Sequence, residues 1–165
     1  MFNLGPEKGR IALDEVQSCP VSELPVDIED LTIKAGPIDQ VSNRILRPQN
    51  APATLPAIVY IHGDGWVFGN QHPHNRLVRE LAVGAEAAVV FINYSLSPEA
   101  RYPTAIEESY AVVKWVAERG AEHGLDPERL AVAGDSVGGN RRQQSRCYPG
   151  SAGDRPSVSS CCFTR

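Results

Sequence analysis

Two near-continuous apolar runs, Ala57 to His62 (AIVYIH) and Ala87 to Tyr94 (AAVVFINY), most constrain what this 165-residue chain can fold into. Runs without polar alternation, rich in β-branched residues, are strands buried on both faces, as in a parallel sheet covered by helices. Between them, Pro73 to Val83 places Leu77 and Leu81 four apart, as on one helix face, and stops at Gly84. After the second run, Ile106, Tyr110, Val113 and Val116 recur at three and four within Pro103 to Arg119, with Pro103 at a first-turn position and Gly120 just past the end. Asp126-Pro127 predicts a turn, Leu130 to Ala133 a third short strand, and Gly134 to Asn140 a tight turn that opens another helix. Strand, helix, strand, helix, strand is the alternation of a parallel sheet with right-handed crossovers.

Upstream, Ile28 to Ile33 and Val41 to Leu46 alternate on either side of the turn residues Gly36, Pro37 and Asp39, which predicts an antiparallel hairpin. Ile11, Leu13 and Val16 sit between charged residues and are followed by Pro20 and Pro25, so residues 1–27 read as a helix and an extended connector. With Lys+Arg 16 against Asp+Glu 20 and 42% hydrophobic residues, the composition suits one soluble globular domain. No stretch approaches the roughly 18 uninterrupted apolar residues of a membrane span. Met1 to Pro20 lacks the continuous apolar core of a secretory signal, so a cytoplasmic location is the expectation.

The sharpest chemical signal is Gly134-Asp135-Ser136-Val137-Gly138, a G-x-S-x-G directly after a predicted strand and before a predicted helix. Its glycines allow a turn tight enough to expose Ser136 Oγ at the carboxyl end of the strand, with the next backbone N–H and the helix N-terminus available to an oxyanion. The plain alternative is a strand-to-helix turn that matches a short pattern by chance. A second signal, His62-Gly63-Asp64-Gly65-Trp66, follows the strand Ala57 to Ile61. Such a loop can present backbone N–H groups to a negatively charged oxygen, or it is a plain turn with His62 bonded to backbone. Two loops at the carboxyl ends of strands in one parallel sheet would converge on one crevice, where such sheets place their sites. His72, His74 and His123 read as solvated residues in or beside surface helices. Glu107, Glu108 and Glu118 with Lys114 read as a charged helix face, and Trp66 and Tyr94 as packing residues.

With NYSLSPEARYPTAIEE (Asn93 to Glu108) and GLDPERLAVAGDS (Gly124 to Ser136) added to HGDGW and GDSVGGN, the sequence from about Ile28 to Asn140 resembles the α/β-hydrolases similar to hormone-sensitive lipase, a family of bacterial carboxylesterases and lipases. The resemblance implies the N-terminal part of an α/β-hydrolase fold: a mostly parallel sheet with flanking helices, incomplete. It divides the chain into a partial cap segment at 1–27, the N-terminal half of the core at 28–140, and a tail at 141–165 outside the likeness. It implies a carboxylic-ester hydrolase with Ser136 as nucleophile, and an oxyanion hole from backbone N–H groups of Gly63, Asp64 and Gly65 together with that of Val137. A small ester is the implied substrate, with no metal and no organic cofactor. The family usually carries HGGGW, so Asp64 stands where a glycine is expected, and a carboxylate there is unfavourable to an oxyanion unless it points away.

In this fold the catalytic acid and His follow the nucleophile, yet after Ser136 the sequence contains no His and one acid, Asp154. Residues 141–165 carry five Arg and three of the four Cys, and show no apolar periodicity. They read as a disordered tail without zinc spacing. Out of frame, the codons of Cys161-Cys162 permit Leu, and Arg141 to Cys147 permit an apolar helix, so the expectation is a frameshift near codon 140. On that expectation the 165 residues are inactive alone, and the edge of the sheet after the nucleophile strand is uncovered. The readings left open are an amidase or other acyl transferase, a non-catalytic fragment that binds a ligand or partner, and a basic arm. The arm has no aromatic interleaving, so nucleic acid is not the expected partner.

Overall fold

The computed structural model describes residues 5–18, 22–34, 40–139 and 159–163. Six strands form one sheet: β1 (Val26–Ile33), β2 (Val41–Pro48), β3 (Leu55–Ile61), β4 (Ala88–Asn93), β5 (Leu125–Asp135) and β6 (Ser159–Phe163). Their order is β1-β2-β4-β3-β5-β6. The expected hairpin is present, with β1 antiparallel to β2 from Val26 opposite Pro48 to Ile33 opposite Val41. β2 runs antiparallel to β4, and β4, β3, β5 and β6 are mutually parallel. The turn residues of the hairpin lie outside the described residues.

Both apolar runs are covered on two sides, as their composition requires. Ala57, Val59 and Ile61 of β3 join Ala88, Val90 and Ile92 of β4 in one buried cluster. Tyr60, Val89 and Phe91 point into another on the opposite face. The first is covered by Val112, Val113 and Val116 of α3 (Thr104–Arg119) and the second by Val78 and Ala82 of α2 (Gln71–Ala85). Each of these fully buried valines contributes roughly 1.5–3 kcal/mol relative to exposure.

Several elements differ from the sequence reading. On α2 the inward row is His74, Val78 and Ala82, while Leu77 is 41% exposed. The row is one position away from Leu77 and Leu81, because His74 takes an inward position alongside the apolar side chains. The predicted Asp126-Pro127 turn is an irregularity inside a longer β5: Pro56 pairs with Asp126 and the next residue, Ala57, with Leu130. Pro103 precedes α3 as its N-cap and does not occupy the first turn. Glu108 does not belong to a solvated face; it is buried and accepts hydrogen bonds from the Ser95 backbone N–H (2.6 Å) and Oγ (2.8 Å). His123 is half-buried, with Nδ1 3.2 Å from Glu29 Oε1 and its ring against Trp115. Within residues 141–165, Ser159–Phe163 pairs with Ala131 to Asp135 along the β5 edge. The other residues of that tail, and the helix expected to open at Asn140, lie outside the described residues.

At the amino end, α1 (Pro6–Gln17) is the expected helix, with Ile11 59% and Val16 66% exposed. Arg10 fastens it to the carboxyl side of the sheet. The guanidinium donates to the carbonyls of Val67 (2.8 Å) and Ser97 (2.8 Å) and makes a two-pronged contact with Glu99 (2.9 and 2.8 Å). No described helix is long and apolar enough to cross a membrane.

Candidate active site

β3 lies between β4 and β5, so the connection leaving it through α2 runs to one side and the one returning through α3 runs to the other. A crevice opens beyond the carboxyl ends of the strands at such a point, and both motifs occupy it. Ser136 follows β5 with φ at +48°, in the left-handed region, and is exposed. That conformation is costly for a residue with a side chain, by about 1–3 kcal/mol, and persists where the surroundings enforce it. Here the turn is closed by hydrogen bonds from Gly138 N to Asp135 O (2.8 Å) and from Gly139 N to the same oxygen (3.2 Å). A Cβ on Gly138 would collide with the Ile61 carbonyl and stand 2.8 Å from His62 O, so only glycine lets the turn press against the end of β3.

The loop after β3 meets this turn directly. A Cβ on Gly63 would lie 2.9 Å from Ser136 Cβ and 2.9 Å from Asp135 O. Asp64, Gly65 and Trp66 then take φ of +65°, +67° and +67°, a short left-handed turn. The Asp64 side chain is directed away from the loop's own tip: Oδ2 and His62 Nδ1 both crowd Gly69, at 2.7 and 2.9 Å from where its Cβ would be.

Behind the two loops is a buried polar cluster. The His62 ring is stacked on Tyr94 with centroids 4.1 Å apart and planes at 8°, and lies 5.3 Å from Phe91. Tyr94 Oη lies 2.9 Å from His62 O and 3.1 Å from Gly63 O, to which it can donate, and 3.2 Å from His62 Nδ1. Burial, reinforced by the neighbouring His74 charge, pushes His62 down to about 3. A group so weakly basic is a poor acceptor for a serine proton at neutral pH.

His74 is not solvated, contrary to the sequence reading; it is 8% exposed. Its Nδ1 faces the Asn70 carbonyl at 3.0 Å and its Nε2 lies 3.7 Å from Asp135 Oδ1. Burial pushes its pKa down, but the Asp135 carboxylate and the Asn70 carbonyl outweigh that and hold it above the ordinary histidine value. Asp135 is raised by burial and lowered by His74 and by Tyr60, whose Oη donates to Oδ1 at 2.8 Å, for a net fall. Tyr60 and Tyr94 are both raised, chiefly by burial and then by the Asp135 charge.

The structure therefore brings together Ser136, Val137, Gly63, Asp64 and Gly65 at one crevice. It also adds His74, Tyr60 and Asp135, which the sequence reading gave no role. The signal available for His74 was its spacing, four and eight residues before Val78 and Ala82 on the buried row.

Comparison with known proteins agrees with this geometry. Residues 58–145 match the family model described as alpha/beta hydrolase fold. Carboxylesterase NlhH of Mycobacterium tuberculosis is 40% identical over 136 residues, which cover 82% of this chain and 43% of that protein. An acetyl esterase of Salmonella paratyphi B is 41% identical over 102 residues, covering 62% of this chain and 31% of its own length. A thermostable esterase from Pseudomonas putida superimposes with a TM-score of 0.81 at 39% identity, over 89% of this chain and 48% of that one. A fungal esterase from Rhizomucor miehei does so with 0.79 at 40% identity, over 87% and 49%. The chain thus spans about half the length of these esterases or less. Over that span sequence and fold both agree, and the chain belongs to the α/β hydrolase family.

Proposed function

We propose that this chain carries the nucleophile and oxyanion half of a serine carboxylic-ester hydrolase. In this reading Ser136 Oγ attacks the ester carbonyl and the alcohol leaves. The N–H groups of the Gly63–Gly65 loop and of Val137 hold the tetrahedral oxyanion, and water then releases the acid from the acyl-enzyme. The observation that carries it is the exposed, left-handed Ser136 packed against Gly63. That packing sets a nucleophile beside a loop of N–H donors.

The base is the part these residues do not supply. No His follows Ser136 in the sequence, His62 is held neutral in its aromatic stack, and His74 is engaged by Asp135. Loss of the base in comparable triads costs on the order of 10⁶ in turnover, so the 165 residues by themselves are expected to acylate slowly and turn over hardly at all.

Incubation with p-nitrophenyl acetate followed by intact mass and peptide mapping tests this. Slow appearance of one acetyl group on Ser136, absent from Ser136→Ala, supports the reading. Equal labelling of both proteins overturns it. The source DNA read past codon 140 in both frames tests the origin of the base: an open alternative frame with an acid and then a His would supply it, and restoring that frame should restore ester turnover.

A further inference from the structure

The Asp135 carboxylate touches both halves of the crevice. Its Oδ2 lies so close under Gly63 that a Cβ there would collide with it, and its backbone carbonyl closes the Ser136 turn through Gly138 and Gly139. Its other oxygen, Oδ1, faces the interior, where Tyr60 Oη donates to it and His74 Nε2 approaches to 3.7 Å. His74 is in turn held at Nδ1 by the Asn70 carbonyl, at the N-cap of α2. We propose that His74 is a positioning residue: as an imidazolium it draws Asp135 inward, and through that carboxylate it holds the Gly63–Gly65 loop in register with the Ser136 turn. This inference rests on the ester-hydrolase reading for its chemical consequence, because the loop it positions is the proposed oxyanion donor.

The alternatives for His74 are closed off by its surroundings. It is buried, 5.3 Å from His62 and 5.8 Å from Phe91, and tilted against Tyr60 at 6.2 Å. The groups that face it are Asn70 O from the start of α2, Tyr60 and His62 from β3 and its end, Phe91 from β4, and Asp135 from the end of β5. Asp64 in the loop acts on it through space. Of these, only Asp135 and Asp64 carry negative charge, and both belong to the crevice loops. A buried cation facing two carboxylates on two loops ties those loops to one another, and a carboxylate left without it would be a buried, half-compensated charge. The raised pKa of His74 agrees with an imidazolium favoured beside those carboxylates.

Two measurements on the full 165-residue chain test the proposal. The first follows the His74 ring and the Gly63, Gly65 and Val137 amides by NMR from pH 5 to 9. The loop amides are expected to shift with the same midpoint as His74, above the usual histidine value, and to stay still over that range in His74→Gln. The wild-type titration needs no variant to fold. Loop amides that ignore the His74 titration overturn the proposal.

The second titrates phenylboronic acid, which forms a tetrahedral anionic adduct on a serine oxygen. At pH 6 His74→Gln is expected to bind it about tenfold more weakly or worse, as for loss of a partly buried ion pair. The gap should close as the pH rises past the His74 midpoint. Binding that is lost in Ser136→Ala but unchanged in His74→Gln overturns the positioning role and leaves the esterase reading standing. Binding indifferent to Ser136 overturns the esterase reading, and the positioning role with it.

Discussion

Asp64 stands in a left-handed turn that glycine would occupy without strain. Asp tolerates the conformation better than most residues, and here its carboxylate is turned toward Gly69 and His62. Asp64→Gly is therefore expected to leave the rate of Ser136 acylation by p-nitrophenyl acetate within about twofold, since the charge it removes is turned away from the developing oxyanion, with a melting temperature shifted by only a few degrees. His62 gives the second expectation at this scale. Its folded pKa, about 3, lies below the value of about 6.5 for an unfolded chain. Between those values the unfolded state binds the extra proton, so His62 makes stability fall as pH drops through 6.5 toward 3. The decline of melting temperature between pH 7 and 4 should be shallower in His62→Phe. Ser136 and the glycines around it were legible in the sequence because a tight turn writes its requirement locally, in residues that must lack Cβ. His74, Glu108 and His123 were not, because what decides whether such a side chain is solvated is a partner on another element: Asp135, Ser95 and Glu29.

Elements were legible where periodicity is local and blurred where pairing decides. β3 and β4 follow from composition alone. β5 reaches back to Leu125 because Leu55 and Pro56 offer partners across an irregularity that sequence shows only as Asp-Pro. α1 is held by polar contacts more than by its own packing, since none of its side chains is fully buried and Asp14 accepts from Asn70 Nδ2 at 3.1 Å. Arg10 joins it to Val67, Ser97 and Glu99. Arg10→Ala is expected to speed amide hydrogen exchange in Pro6–Gln17 about tenfold or more, the scale of a lost hydrogen bond to a charged group. Exchange in β3 and β4 should stay as slow as before. Equal acceleration in α1 and in the sheet would show that α1 does not open as a separate unit.

At the scale of the whole molecule, the described sheet ends at β6, beyond which no strand is paired among the described residues. Unpaired parallel edges are templates for association, and natural proteins blunt them with charge. The weight-average mass in sedimentation velocity is expected to rise with protein concentration, and Ser160→Lys, which places a charge in β6, should lower that rise. A mass independent of concentration would mean that the edge is protected in some other way.

The position of β3 between β4 and β5 carries a consequence for how the site comes into being. The loop at Gly63 and the turn at Ser136 are far apart in the chain, and they meet only when β5 docks along β3 on the side opposite β4. During synthesis the four strands and three α-helices that precede β5 emerge with a half-built crevice whose missing wall is the last strand before the serine. Under the proposed function, competence to bind an oxyanion therefore arrives in a single late event, and cannot precede closure of the longest-range pairing that the crevice depends on.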